Sequence, residues 1–107
     1  MKYSMKLLKE PFYKIKNGTK TIEFRLYDEK RKQLKIGDTI EFSLLPDLKE
    51  KILTEIVDLY HANTFKDLFT MLEIKDIERK VNRMYEIYQP ENEKKFGVLG
   101  IKIALIK

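Results

Sequence analysis

Four side chains within six residues bring an ammonium, a hydroxyl, a carboxylate and a guanidinium to neighbouring points: Lys20, Thr21, Glu23 and Arg25. Asn17-Gly18 precedes them and reads as a turn, because both residues tolerate positive φ. From the turn onward the pattern is that of a strand. Thr21, Glu23 and Arg25 share one face, and Ile22, Phe24 and Leu26 share the other. Positions i and i+2 of a strand lie about 7 Å apart, so Glu23 and Arg25 are neighbours. Such a set can hold a phosphate and hydrogen-bond a base edge. With Lys20 as base and Thr21 or a water as nucleophile, it can also attack a carbonyl or phosphate. The plainer alternative is a solvated strand face carrying an exposed ion pair, which contributes little energy.

Composition narrows the choice. Net charge is +5, and its distribution is uneven. Residues 1–35 hold 11 of the 22 Lys and Arg but 4 of the 17 Asp and Glu, so the basic excess coincides with the charged segment. Clustered positive charge concentrates polyanions and contacts phosphates. The chain has no cysteine, which removes thiol chemistry and cysteine-ligated metals. His61 is the only histidine, so a histidine-based triad or a zinc site would depend on it alone. It reads as a loop or hydrogen-bonded structural residue. The four glycines, at 18, 37, 97 and 100, do not cluster into a phosphate loop. No metal and no cofactor are expected. No apolar run approaches the roughly 18 residues of a membrane span, and the first residues lack the apolar stretch of a signal peptide. A cytoplasmic protein without membrane partners is the expectation, with the oligomeric state left open.

The elements that must position these residues follow from periodicity. A first strand is expected near 3–8, with Tyr3, Met5 and Leu7 on one face. A helix over about 10–17 packs through Phe12 and Ile15, with Pro11 in its first turn and Gly18 at its end. The charged strand covers about 20–27, and Asp28–Gln33 forms a charged loop. Strands follow over 39–45, with Ile40, Phe42 and Leu44 inward and Thr39, Glu41 and Ser43 outward, and over 52–60. The latter is apolar on both faces and expected to be covered on both for part of its length. Thr64 caps a helix carrying Phe65, Leu68, Phe69 and Leu72. A second helical stripe runs through Ile74, Ile77, Val81, Met84 and Ile87, and Gln89-Pro90 ends it. A last strand spans 96–106. The order β-α-β-β-β-α-α-β is that of a single α+β domain over residues 1–107. Its sheet is mixed or antiparallel, curling into a small, partly open barrel with flanking helices.

The segment Gly18-x-Lys20-x-x-Glu23-x-Arg25 resembles the signature of the ASCH domain, a relative of the PUA RNA-binding fold. Phe12-x-x-Ile15-x-x-Gly18, Arg25-Leu26-Tyr27-Asp28-x-x-Arg31 and Ile36-Gly37-Asp38-x-Ile40-x-Phe42 are similar to flanking parts of that family. So are Thr64-Phe65-x-x-Leu68 and Tyr88…Gly97-Val98-Leu99-Gly100-Ile101, and the likeness spans almost the whole chain. It implies a PUA-like barrel and a cleft for RNA or a nucleotide. Lys20, Glu23 and Arg25 would line that cleft, with Asp28 and Arg31 nearby. Tyr27, Tyr85 or Tyr88 is placed by its aromatic character to stack on a base.

Some small ASCH proteins, which this chain resembles in size, are amidohydrolases of N4-acetylcytidine with a lysine-activated threonine and a carboxylate, and other members are ribonucleases. Here Lys20 matches the lysine, but Glu23 stands where the threonine is expected. Thr21 is the nearby hydroxyl, and Glu73 is the candidate carboxylate, expected within the helical segment. Recognition of RNA or a modified nucleoside is therefore the first expectation, with Lys20, Glu23, Arg25, Asp28, Arg31 and Tyr88 binding the ligand. Hydrolysis by Lys20, Thr21 and Glu73 is the alternative. A protein-interaction adaptor using the helix faces around Lys75 and Arg79 is a third.

Overall fold

The computed structural model describes residues 1–106, in five strands and four helices. In chain order they are β1 (Lys2–Leu7), α1 (Lys9–Lys16), β2 (Ile22–Leu26), β3 (Thr39–Leu44), β4 (Lys51–Ala62), α2 (Phe65–Met71), α3 (Ile77–Tyr85), α4 (Pro90–Phe96) and β5 (Val98–Leu105). A single 3-10 turn, Arg31–Gln33, lies between β2 and β3. The strands form one mixed sheet in the order β1-β3-β4-β5-β2, with β1 and β2 at its edges. β1 runs parallel to β3 with Met5 opposite Phe42, and β3 runs antiparallel to β4 with Ile40 opposite Thr54. The residues fall into two compact units.

The first unit comprises Met1–Glu23, Lys35–Leu59 and the described residues from Ile101 on. Its strands alternate as the sequence requires, with Met5, Leu7, Ile40, Phe42, Ile56, Ile101 and Ile103 buried. From α1, Phe12 and Ile15 are buried while Leu8, just before the helix, is exposed. Each large apolar side chain so buried contributes about 1.5–3 kcal/mol. Helix α1 stops where Gly18 takes φ +83° and its N–H turns back to Ile15 O at 3.1 Å. Thr54 is fully buried and satisfies its hydroxyl by donating to Ile40 O at 2.9 Å.

One expectation fails in this unit: Ser43, read as outward, is buried. Cover on both faces of β4 does not reach Val57, which is 38% exposed, or Glu55, which is exposed too. This stretch of β4 thus has one dry face and one wet face, as antiparallel strands commonly do.

The second unit comprises Phe24–Leu34 and Tyr60–Gly100. Leu26, Phe65, Leu68, Phe69 and Val98 form its buried centre, and Ile77, Val81, Met84 and Tyr88 pack against them. Thr64 caps α2 as expected: its backbone is extended and its Oγ1 accepts the Asp67 N–H at 3.1 Å. The expected helix to residue 89 ends instead at Tyr85, and Ile87 is exposed. Pro90 does not merely end a helix but opens another, α4, as its first residue. The last strand consequently starts at Val98 rather than Phe96. Helix α4 has acidic residues in its first turn and lysines in its last, complementing its dipole. It closes at Gly97, whose φ of +75° and ψ of −172° only glycine adopts at low cost.

Candidate functional site

In the first unit, the chain leaves α1 through Gly18 and is pinned just before β2, where Lys20 N–H donates to Lys14 O at 2.9 Å. Thr21 O then accepts the Ile103 N–H at 2.8 Å, joining this segment to β5. Lys20 Nζ reaches forward to Glu23 Oε1 at 2.9 Å. Glu23 is only 4% exposed, although alternation puts it on the polar face of the strand. That face is therefore not a row of solvated charges, since the carboxylate is out of water. The ammonium stands against a carboxylate where the amidohydrolase pattern would have a hydroxyl. Thr21 itself is exposed.

The remaining predicted residues lie in the second unit. Arg25 is half-buried on β2. Asp28 staples the turn that follows: its Oδ1 accepts the Arg31 backbone N–H and its Oδ2 accepts Arg31 Nη1–H, both at 3.0 Å. Arg31 Nε is buried without a hydrogen-bond partner. Tyr88 packs into the apolar centre, its ring stacked on Phe65 with centroids 5.8 Å apart. Glu73 was expected in a helix. It sits instead in the turn after α2, exposed and with φ +55°.

The sequence did not single out the other feature of this unit, a cavity of about 590 Å³. Tyr27 and His61 meet on one side with ring centroids 4.2 Å apart and planes tilted by 35°. Tyr27 is fixed through its backbone N–H, which donates to Gly97 O at 3.0 Å. His61 is not a loop residue, because β4 continues to Ala62 and carries it. Gly97 is required here on a second ground: a Cβ would lie 3.1 Å from His61 Nε2 and 3.1 Å from Ala62 O. Lys32, Lys94 and Lys95 also line the cavity, and Lys32 Nζ lies 5.7 Å from the centre of the Tyr27 ring.

Glu93 borders the cavity too, but both of its oxygens are used. Oε2 accepts the Phe65 N–H at 2.9 Å and Oε1 accepts the Tyr85 hydroxyl at 2.8 Å. That acceptor, helped by burial and by the carboxylate charge, raises the Tyr85 phenol above its ordinary value. Among the described residues no cluster of His, Cys, Asp or Glu could hold a metal ion, and no helix is long and apolar enough to cross a membrane.

The model of the ASCH domain matches residues 5–107. The chain belongs to the ASCH family. Two solved structures share the fold of this ASCH domain over nearly their whole length. One is the crystal structure of hypothetical protein PH0355, 36% identical, with a TM-score of 0.86, covering 99% of this chain and 100% of that one. The other is the solution structure of protein PF0455 from Pyrococcus furiosus, 34% identical, with a TM-score of 0.76, covering 100% of this chain and 99% of that one. No curated protein matches the chain. The fold is thus α+β and PUA-like, as the resemblance implied. Within this ASCH domain, Lys20 and Glu23 are brought together as a pair, and Asp28 and Arg31 as a second one.

Proposed function

We propose that this ASCH domain binds RNA or a nucleotide through its signature segment, with Lys20 and Arg25 meeting phosphate or carbonyl oxygens. Glu23 accepts hydrogen bonds from a base or ribose and orients Lys20. The observation that supports this reading most is the buried carboxylate of Glu23 against Lys20 Nζ at 2.9 Å. Burying the carboxylate costs its desolvation, which a partly exposed ammonium offsets only in part, so the pair is a weak stabiliser and its presence is better explained by use. The basic excess of residues 1–35 supports a polyanionic ligand. Arg25→Ala is expected to weaken binding of single-stranded RNA by about tenfold or more at about 50 mM salt, the loss of one charge-assisted contact. Fluorescence anisotropy with a labelled oligonucleotide measures it, and unchanged affinity would overturn the assignment.

A further inference from the structure

None of the residues lining the cavity of the second unit belongs to the Gly18-to-Arg25 signature. The cavity has two kinds of wall. One is aromatic, made by the Tyr27–His61 pair. The other is cationic, with Lys32, Lys94 and Lys95 against the single carboxylate of Glu93. Glu93 is buried, and both its oxygens are committed to Phe65 and Tyr85, so its one negative charge is set back from the opening and outnumbered by the three lysines. The volume of about 590 Å³ lies in the range of small-ligand sites. Asn63 in the wall carries both a donor and an acceptor for a base edge.

We propose that this cavity is a nucleotide subsite: a planar base lies against the Tyr27–His61 pair while its phosphate meets Lys94 and Lys95. Aromatic platforms combined with lysines are how single-stranded nucleic acid is held without base pairing. Lys94 and Lys95 are both exposed on the last turn of α4, so their ammonium groups reach a phosphate without desolvating first. Lys32 covers Tyr27 only loosely. Its side chain is 46% exposed, and its other partner is the exposed Glu29 at 3.2 Å. Exposed contacts of this kind are weak, so a base can displace the ammonium from the ring and leave it free for the phosphate. Two sources share the required chemistry, a free mononucleotide and a nucleotide within an unpaired RNA strand.

The test uses the full chain and exploits its single histidine, whose ring protons give unique NMR signals. Titration with 5′-AMP and with a single-stranded RNA pentamer should move the His61 signals upfield and saturably, as a stacked base does. Movement with AMP alone assigns the site to free nucleotides, and movement with RNA alone assigns it to the strand. Either result supports the subsite. The Lys94→Ala/Lys95→Ala double variant, whose side chains bear no part of the core, should weaken the effect tenfold or more. Tyr27→Leu should remove it. The Lys94→Ala/Lys95→Ala variant is read at His61 with AMP and the signature variant by RNA anisotropy, so failure of the signature reading and failure of this one are separable. Absence of saturable movement with both ligands would overturn the proposal. So would equal movement with inorganic phosphate alone, or an unaltered response in the double-lysine variant.

Discussion

Glu93 holds three helices of the second unit together through one buried carboxylate, and its loss should be felt well beyond its size. Oε2 receives the backbone N–H of Phe65, the first residue of α2, and Oε1 receives the Tyr85 hydroxyl from the end of α3. Glu93→Ala removes both bonds and strands the Phe65 N–H at a residue with no solvent exposure. A hydrogen bond to a charged group is worth about 1.5–3 kcal/mol, and an orphaned buried donor costs about 1–3 kcal/mol. The Tyr85 hydroxyl can turn to water, since its residue is 38% exposed, so the expected total is about 3–5 kcal/mol.

Glu93→Gln differs in kind. Its amide oxygen accepts the fixed Phe65 N–H, and its NH2 then faces the Tyr85 hydroxyl, which must accept where it had donated, so the contact loses its charge assistance. The expected cost is about 1–2 kcal/mol, close to that of Tyr85→Phe. Urea unfolding followed by circular dichroism ranks the variants, and amide exchange at Phe65 should accelerate in Glu93→Ala. A Glu93→Ala protein within about 1 kcal/mol of the parent would refute the reasoning, because unsatisfied buried donors do not come so cheaply.

Three carboxylates of the first unit contribute to its sensitivity to acid. The hydrogen bond from Lys16 to Glu50 and, next, that from Tyr13 lower Glu50 from its usual 4.5. Lys2 does the same for Glu41, and the terminal ammonium of Met1 lowers Asp38 from 3.8. A depressed folded value means that the unfolded chain takes up protons first. The stabilisation is therefore complete above about pH 4.5 and fades as pH falls through the folded values. Melting temperature should drop below that pH, and Glu50→Gln should make the drop shallower; a profile identical to the parent's would contradict this. Gly97→Ala should cost about 2–3 kcal/mol from its backbone conformation and displace the His61 ring, read as a lowered melting temperature and a shifted His61 NMR signal. A neutral change would mean that the close approach to His61 Nε2 is relieved without strain.

Much of the architecture can be read from local pattern. Phe12 and Ile15, Ile40 and Phe42, and the Thr64 cap each carry their signal within a few residues, and each sits where that signal puts it. Helix α4 is different. Its segment has no apolar stripe, and it is held through Glu93 by partners 28 and 8 residues away. Pro90 at its start and Lys94 and Lys95 at its end were local clues that a stop signal obscured. Glu23 shows the other limit. Alternation fixes its face, but whether that face is wet depends on what covers it, which no spacing along the strand encodes. Likewise Tyr27 was legible as an aromatic beside the signature, yet its pairing with His61 joins residues 34 positions apart.

The role of the signature cations is tested most directly by the salt dependence of RNA binding. Each phosphate contact to a single strand contributes a slope of about 0.7 in log affinity against log salt. Anisotropy titrations of the parent and of Lys20→Ala/Arg25→Ala should therefore give lines whose slopes differ by about 1.4, with the variant weaker at every low-salt point. Parallel lines of equal affinity would contradict the assignment of RNA binding to Lys20 and Arg25.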